Sequence, residues 1–403
     1  MKLYIFNPDT DLALANNREN YMPPARVRQM TQELELLPLW YSEAGSCIFA
    51  PSSRENGEFL AEAKSLFGVE AKCIKDIAQL LCDENIEITP WGWNVALRRQ
   101  LLGRGVDESL LPSPHELALY RELSGRDKDT EILRSMSPSA GFTAKVIDNI
   151  EECREYADRH PRCIFKAPWS GSGKGLLWCW GKYDEKSDGW CRRVIAEQGF
   201  VVATPIYEKV QDFAIEYYCD GEGCLSFVGY SLFSTNTKGA YQGNILQSEA
   251  MHRETLSQFI SLNELDATDA LLREKLAATY GSKYKGYIGV DMIICRTADG
   301  TNALHPCVEV NMRMNMGVLS TILAKRFLAE GSRAIFSIDY YPAAEELQSF
   351  LARMEKENPK RIVNGKLVAG FVPLVPAGKS NNYIAYIKIK FNIVTCCILS
   401  CIL

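Results

Sequence analysis

The stretch from Tyr287 to Gly317 constrains the fold more than any other part of this sequence. Two apolar runs rich in β-branched residues flank a polar turn that contains Asp299-Gly300, and this pattern predicts a β-hairpin. In the second run Glu309, Asn311 and Arg313 are spaced by two, so their side chains share one face of the strand. The hairpin therefore carries a row of polar side chains on an otherwise apolar pair of strands.

Each apolar run of this hairpin also contains an acidic side chain. Asp291 in the first run and Glu309 in the second are both flanked by apolar residues, where an unpaired charge is costly to bury. With the amide oxygen of Asn311 they form an oxygen-only ligand set of the kind that Mg²⁺ prefers. A solvated sheet face is the alternative, but it accounts for Asp299 better than for Glu309. We predict a Mg²⁺ site at Asp291, Glu309 and Asn311.

The composition indicates a soluble globular protein of two or three domains. The chain has 403 residues, of which 47% are apolar and 24% charged, with a net charge of −5. Because it lacks a block of basic residues, a nucleic-acid partner is not expected. The N-terminal apolar run is too short for a signal peptide, and no run reaches the length of a membrane span. We therefore expect a cytoplasmic protein without a membrane or nucleic-acid partner, and a homo-oligomer remains open.

Metal binding through cysteine or histidine is not expected. The 14 cysteines are scattered, none of them in a C-x-x-C pattern, and only 4 histidines are present, which disfavours structural zinc. In a cytoplasmic protein these cysteines are expected to be reduced thiols. The uncharged tail Phe391–Leu403 is compatible with a final buried strand or with a segment unrelated to the fold.

Residues 1 to about 110 alternate between strand and helix patterns, which predicts a small, open and mainly parallel sheet. Ligands of such sheets bind outside the carboxyl ends of the strands, and these ends include the loop Asn7–Asp11. Turn and cap roles are the favoured interpretation of Asp9 and Asp11. The predicted strands are Lys2–Phe6, Cys47–Ala50 and Ile86–Thr89, and the predicted helices begin at Pro23-Pro24 and span Phe59–Phe67 and Ile74–Leu81. Residues 91–136 are expected to be helical, with breaks at Pro112 and Pro114.

A loop rich in Ser and Gly follows the short strand Cys163–Phe165 and precedes the strand Leu176–Trp180. Lys166 lies before this loop and Lys174 within it, an arrangement suited to a flexible phosphate clamp, in which backbone N–H groups close over oxygens and lysines offset their charge. The loop lacks the Walker pattern, because Pro168 and Gly175 stand at required positions. A plain hairpin loop is the alternative. The loop residues are Ser170, Gly171, Ser172, Gly173, Lys174 and Gly175.

A hinge follows the strand Phe200–Ala203. An apolar strand that leads into a hinge between two lobes suits an adenine base, because backbone groups can contact the base edge and an acidic side chain downstream, on a strand such as Val210–Tyr218, can hold ribose hydroxyls. The polar, glycine-containing stretch Thr235–Asn244 is predicted to be a loop that faces the substrate.

In this order, the elements resemble the ATP-grasp superfamily of ligases over most of the chain, from Met1 to about Ser320. The Glu309-Val-Asn311-Met-Arg313 sequence with Asp291 on the preceding strand is the most specific part of the resemblance. It implies an α/β N-terminal domain with an open, mainly parallel sheet, followed by an α+β ATP-grasp fold of two lobes. It also implies ATP and Mg²⁺ as cofactors.

The resemblance assigns roles residue by residue. Lys166 and the loop Ser170–Gly175 resemble the lysine and the loop that contact the nucleotide phosphates, and Asp212 resembles the ribose-binding acid. The Mg²⁺ ligands correspond to Asp291, Glu309 and Asn311. Arg313, Lys166 and Lys174 would be the catalytic cations, and Arg313 resembles the arginine that steadies the acyl phosphate.

Two positions depart from the family pattern. Thr204 stands where members often have an acidic hinge residue. Gly289 stands where ligases for D-alanine-type substrates have an arginine, so charge stabilisation would fall to Arg313 and the lysines.

The expected function is an ATP-dependent carboxylate–amine or carboxylate–thiol ligase that acts through an acyl phosphate and releases ADP and phosphate. Two alternatives remain open: a catalytically inactive ATP-binding sensor or interaction protein of the same fold, and a small-molecule kinase. The expected domains are residues 1–110, an ATP-grasp-like domain 111–390 with lobes of roughly 111–204 and 205–390, and the tail 391–403.

Overall fold

A computed structural model describes residues 1–52, 56–80, 86–136, 141–171, 173, 175–235 and 241–392. Three parts of the predicted site region therefore lie outside the described residues. They are Ser172 and Lys174 of the predicted phosphate clamp, residues 236–240 of the predicted substrate loop, and the tail beyond residue 392.

The N-terminal part folds into a four-stranded parallel sheet in the order β3-β2-β1-β4, as predicted from the strand–helix alternation. Its strands are β1 (Lys2–Ile5), β2 (Cys47–Phe49), β3 (Lys72–Ile74) and β4 (Glu87–Pro90). Its helices are α1 (Thr10–Asn16), α2 (Ala25–Glu33), α3 (Gly57–Phe67) and α4 (Val95–Gly103), with short 3-10 helices at Leu37–Trp40 and Ile77–Leu80. The chain moves outward from β1 to β3 and then returns to β4 on the other side of β1.

Two helices connect this sheet to the rest of the chain, after a 3-10 turn at Glu108–Leu110. They are α5 (Pro114–Leu123) and α6 (Arg126–Met136). The break predicted at Pro112 and Pro114 is confirmed, since α5 begins at Pro114, and Ser113 and Glu116 form a capping box there. A proline is tolerated there because that N–H has no partner within the helix.

A second sheet of four antiparallel strands has the order β5-β8-β6-β7. It consists of β5 (Lys145–Ile147), β6 (Arg162–Lys166), β7 (Leu176–Trp180) and β8 (Val201–Pro205), with helices α7 (Ile150–Arg159) and α8 (Glu185–Gln198). One face packs against these helices through a buried core that includes Phe165, Cys179 and Val201. The other face carries Lys166, which is paired in register with Leu176 and Val202.

The largest sheet has eight strands in the order β13-β12-β9-β10-β11-β14-β18-β17. The strands are β9 (Glu208–Asp220), β10 (Leu225–Thr235), β11 (Tyr241–Leu246), β12 (Lys285–Arg296), β13 (Asn302–Asn311), β14 (Ser332–Tyr340), β17 (Phe371–Pro373) and β18 (Tyr383–Asn392), and a separate pair is formed by β15 (Arg361–Val363) and β16 (Lys366–Ala369). The helices are α9 (Glu249–Ser257), α10 (Leu262–Tyr280), α11 (Met316–Phe327) and α12 (Ala344–Glu357).

The hairpin predicted from the sequence is confirmed as β12 and β13, which pair antiparallel with Asp291 opposite Glu309. Strand β9 pairs with the other edge of β12. One face of β9 and β12 is apolar and buried, with Phe213, Ile215, Val290 and Met292 in a single core. The functional side chains lie on the opposite face.

One local prediction was wrong. In the stretch Ile74–Leu81, which was predicted to be a helix, Ile74 instead ends β3, which pairs with β2, and Ile77–Leu80 form a 3-10 turn. Leu81 lies outside the described residues. At the two ends of the predicted loop Thr235–Asn244, the described residues belong to β10 and β11, which pair with each other. Within the described residues, none of the helices combines the length and the apolar character needed to cross a membrane.

Candidate active site

Polar side chains form a stripe across the three strands β9, β12 and β13. The strand registers place Ala214, Asp291 and Glu309 side by side, and Glu216, Gly289 and Asn311 in the adjacent row. Because side chains alternate between the faces of a strand, these residues point away from the apolar core. The sheet therefore collects the predicted metal ligands on one face.

Asp291 is the most strongly perturbed acid of this stripe. Burial and the neighbouring Glu309 carboxylate raise the pKa of Asp291 well above its usual range, and Arg313 opposes the rise only in part. Two neighbouring carboxylates repel each other when both are ionised, so a cation bound beside them would stabilise their charged forms.

Glu309 is paired with an arginine that the sequence analysis did not single out. Arg126 Nη2 donates to Glu309 Oε1 at 2.6 Å. Burial alone would raise the pKa of Glu309, but Arg126 and Lys166 hold it below its usual value. Glu309 is thus ionised and already in contact with a cation.

Arg126 connects three parts of the site. It begins α6, its side chain is buried, and its Nη1 donates to the Ala167 carbonyl and to Ser170 Oγ, both at 2.7 Å. Its Nε is buried and has no hydrogen-bond partner among the described residues. In the sequence Arg126 belongs to the charged run Arg126-Asp127-Lys128-Asp129, which is typical of a solvated helix, so no local signal identified it.

Asp129, one turn further along α6, was also missed. It is buried, and its Oδ1 accepts the backbone N–H of Val310 at 3.1 Å. Burial and the nearby Glu309 raise the pKa of Asp129 to about 8. This carboxyl group holds α6 against β13 beside Glu309.

Lys166 lies at the end of β6 and points towards β13. Its Nζ is 3.4 Å from the Val308 carbonyl oxygen, and burial together with Arg126 lowers its pKa. The structure therefore brings Lys166 to the same acidic stripe as Asp291 and Glu309.

The glycine-rich loop after β6 is closely packed at both ends. Ser170 is buried under Arg126, and a Cβ added to Gly171 would lie 2.7 Å from Asp11 Oδ2. Gly173 has φ +74°, which favours glycine, and a Cβ at Gly175 would overlap Ser170. These glycines are required by close approach as well as by conformation.

Arg313 is paired with the N-terminal sheet domain. Its Nε and Nη2 donate to the two carboxylate oxygens of Asp11 at 2.8 and 2.6 Å, and Nη2 also donates to Asn311 Oδ1 at 2.8 Å. The turn or cap role expected of Asp11 is therefore wrong, because its carboxylate faces Arg313. Asp9 is the N-cap residue of α1, but its side chain makes no capping hydrogen bond.

Thr204 and Asp212 lie on either side of the hinge between β8 and β9. Thr204 is buried opposite Ile164 and lines a small recess with Lys166, Val202 and His305. Asp212 shares the face of Glu216 further along β9, where its Oδ2 accepts Lys209 Nζ at 2.6 Å and Thr235 Oγ1 at 3.0 Å.

Glu216 explains the absence of an arginine at position 289. Its carboxylate accepts Ser231 Oγ at 2.8 Å and Asn315 Nδ2 at 3.1 Å, and Cβ atoms added to Gly289 or Gly317 would overlap it. Burial raises the pKa of Glu216 to about 7, although both hydrogen bonds oppose the rise. The two glycines form the space that this carboxyl group fills.

A narrow cavity of about 20 Å³ lies at the centre of these side chains and is lined by Asp11, Arg126, Ser170, Glu309, Asn311 and Arg313 among others. Across the described ranges, no group of three or more His, Cys, Asp or Glu side chains is arranged to hold a metal ion. The predicted Mg²⁺ site contains only two such side chains, Asp291 and Glu309, because its third ligand, Asn311, is an amide.

Neither the comparison with protein families nor that with curated proteins finds a match to this sequence. Solved structures do match over nearly the whole chain. N5-carboxyaminoimidazole synthetase from Staphylococcus aureus has a TM-score of 0.54 at 11% identity, over 99% of this chain and 96% of that chain. It has also been solved with ADP.

Two further structures are similar to this chain. The biotin carboxylase domain of Hydrogenobacter thermophilus 2-oxoglutarate carboxylase, in complex with MgADP, ADP and bicarbonate, has a TM-score of 0.53 at 12% identity, over 96% of this chain and 86% of that chain. An ADP complex of N5-carboxyaminoimidazole ribonucleotide synthetase has a TM-score of 0.51 at 14% identity, over 99% and 94%. At these identities the likeness establishes the fold, and the predicted ATP-grasp fold is confirmed.

Proposed function

We propose that this chain, which has the ATP-grasp fold, is an ATP-dependent ligase that joins a carboxylate to an amine through an acyl phosphate, with release of ADP and phosphate. The observation that carries the proposal is the acidic stripe of Asp291 and Glu309, which is surrounded by the cations Arg126, Lys166 and Arg313. Phosphoryl transfer to a carboxylate concentrates negative charge on oxygens, and such a site compensates that charge.

The stripe fits Mg²⁺ by its donor chemistry. Asp291, Glu309 and Asn311 supply only oxygen ligands, which suit this ion, and burial together with the neighbouring Glu309 carboxylate raises the pKa of Asp291. Bound there, Mg²⁺ would neutralise phosphate oxygens. The Arg126–Glu309 and Arg313–Asn311 contacts would have to loosen to free both ligands.

Lys166 and Arg126 are proposed to bind the phosphates of ATP. Arg126 is buried and Lys166 half-buried near the loop that begins at Ser170, so their charges act in a region of lowered dielectric constant. Lys174 is proposed to join them from the loop, with Thr204 and Asp212 contacting adenosine.

No side-chain nucleophile is needed for this reaction, because the substrate carboxylate attacks the γ-phosphorus itself. His305, which lines the recess beside Thr204 and Lys166, is a poor general base. Burial and the nearby Lys166 lower its pKa to about 3, so it is neutral at physiological pH. The chain acts by binding, orienting and charge compensation.

Arg313 is proposed to bind the acid substrate. It already holds a carboxylate, that of Asp11, in the two-bond geometry that a guanidinium offers to carboxylates. Bicarbonate is a candidate acid because it is present in the biotin carboxylase complex to which this chain is similar. The second substrate is proposed to be a small-molecule amine. The protein is proposed to act in the cytoplasm, where its cysteines would be reduced.

The test measures ADP release from MgATP with pools of carboxylates, including bicarbonate, each with and without mixed amines and thiols. We expect release that depends on both an acid and an amine. Release that needs one substrate and leaves a stable phosphorylated product would indicate a kinase. Nucleotide binding without release under any condition would indicate an inactive ATP-binding protein.

Glu309→Gln should abolish this release while the fold survives, because the amide cannot supply the negative charge that the metal requires. Glu254→Gln, at an exposed position on α9, is the matched control and should leave release unchanged. Release by the Glu309 variant at the parent rate would contradict the metal assignment, provided circular dichroism shows both variants folded.

A further inference from the structure

The N-terminal sheet domain contains a cavity that the proposed reaction does not use. Its volume is about 260 Å³, more than ten times that of the reaction cavity. It is lined by residues that follow β1, β2 and β4, such as Asn7, Ser52 and Asn94. These are the carboxyl ends of parallel strands, and β1 and β4 flank the point where the strand order reverses. Open α/β sheets bind ligands at this point.

The cavity does not open onto the acidic stripe through any shared residue. All of its lining residues lie between Ile5 and Arg104, whereas the reaction cavity takes Asp11 and Leu14 from this domain and its other lining residues from later in the chain. Asp11 of helix α1 lines the reaction cavity, whereas Asp9, which precedes this helix, lines the larger cavity. The two cavities therefore have no lining residue in common.

The interior of the cavity is apolar, with a few buried polar atoms. Phe6 and Phe49 supply aromatic wall. The Tyr21 hydroxyl is buried and has no hydrogen-bond partner in the part of the chain that the structure describes. Nearby Asp9 has its pKa raised by burial. A buried hydroxyl without a partner costs free energy, and a ligand group that hydrogen-bonds to Tyr21 and Asp9 would recover it.

The mouth of the cavity is basic. Arg28, Gln32, Gln100 and Arg104 are exposed there, whereas both acids of the lining, Asp9 and Glu35, are half-buried or buried. The Arg104 guanidinium lies over the Phe49 ring, 5.1 Å from its centre, and Arg28 Nη1 donates to the Pro23 carbonyl at 2.8 Å. Both arginines are thereby held at the rim, where they favour an anionic group.

We infer that this cavity binds a small amphipathic anion: an aromatic or heterocyclic body that carries an amino group inwards, towards Tyr21 and Asp9, and a phosphate or carboxylate outwards, towards Arg28 and Arg104. The volume is close to the lower end of the range of known ligand pockets. The inference goes beyond the proposed ligase reaction and does not depend on it.

The test titrates three probes against the parent protein, by ligand-observed NMR or calorimetry. The probes are 4-aminophenyl phosphate, phenyl phosphate, which lacks the amino group, and 4-aminophenol, which lacks the anion. We expect saturable binding of the first, and binding of each of the others weaker by on the order of tenfold, since each loses a hydrogen bond to a polar or charged group. Saturating MgADP should leave the affinity unchanged.

Two variants locate the probe. Arg104→Gln should weaken binding of 4-aminophenyl phosphate on the order of tenfold without affecting 4-aminophenol, and Tyr21→Phe should reduce the preference for the amino group, because only Asp9 remains to bind it. Arg99→Gln, exposed on α4 and outside the lining, is the control and should bind as the parent does. MgADP binding, measured separately, reports on the reaction site in every variant.

Three results would overturn the inference. They are absence of saturable binding of 4-aminophenyl phosphate to the parent, displacement of this probe by MgADP, and equal affinity of the parent and both cavity variants. None of them bears on ADP release, so failure of this site and failure of the ligase proposal are distinguishable.

Discussion

At the scale of single residues, Arg313 has two roles that one substitution cannot separate. The sequence predicts that Arg313 steadies the acyl phosphate. The structure gives it a protein partner, because its Nε and Nη2 donate to the carboxylate of Asp11. A variant at each end of this pair is therefore needed.

Arg313→Lys should lower the rate of ADP release roughly tenfold or more, because lysine lacks the fork that binds a carboxylate through two hydrogen bonds. Nucleotide affinity should change little. Asp11→Asn removes the same ion pair and leaves Arg313 in place, so it should lose comparable stability and retain more activity. If the two variants lose stability and rate in parallel, Arg313 is only a structural residue.

Glu216 should make the stability of the metal-free protein depend on pH. Its pKa is raised from the usual 4.5 to about 7, so between these values the folded state binds more protons than the unfolded state. The contribution of Glu216 to the free energy of unfolding is then fully present below pH 4.5. It is lost as pH rises through 7, by on the order of 3 kcal/mol.

The measurement is urea unfolding of the parent and of Glu216→Gln across this pH window. Glutamine can accept from Asn315 and donate to Ser231, so the variant should keep these contacts and lose the contribution of Glu216 to the slope. The same pH dependence in both proteins would show that Glu216 does not titrate in this range.

At the scale of elements, the loop after β6 is fixed at its base and glycine-rich at its centre. Ser170 is held by Arg126, while the central glycines favour conformational freedom. Trypsin should therefore cut after Lys174 in the nucleotide-free protein, and MgATP should slow this cut by closing the loop over the phosphates. Mass spectrometry identifies the site, and Lys174→Gln should abolish that fragment. Cleavage at an unchanged rate with MgATP would contradict a clamp.

At the scale of the whole molecule, the N-terminal sheet domain and the C-terminal strands share one hydrophobic core. Trp40 is 1% exposed, packs edge-on against Phe59, Phe67 and Phe327, and donates from Nε1 to the Leu374 carbonyl. The segment that contains β14, β17 and β18 therefore stabilises the N-terminal sheet, across a sequence separation of 334 residues for this hydrogen bond.

Trp40→Ala should destabilise the protein by roughly 3–5 kcal/mol, the cost of emptying a large buried aromatic site. Because the core is shared, fluorescence and circular dichroism should report the loss in one common transition. Trp180→Ala, at a position that is 60% exposed, is the control and should change stability far less. Separate transitions for the two ends of the chain would show that the shared core does not couple them.

The sequence by itself determined the features that depend on local periodicity. The alternation of strand and helix patterns predicted the parallel sheet, and a spacing of two placed Glu309, Asn311 and Arg313 on one face of a strand. The hairpin turn then brought Asp291 opposite Glu309. The division into domains, and the roles of Lys174 and Ser172, stay predictions.

Only the tertiary structure decided which charges meet. Arg126 lies 183 residues from Glu309, and Asp11 lies 302 residues from Arg313, and no local pattern encodes contacts at such separations. Arg126 stands in a charged run that predicts exposure, yet it is buried because α6 packs against β13. The physical reason is that side-chain periodicity follows from the geometry of one element, whereas charge pairing depends on how distant elements pack.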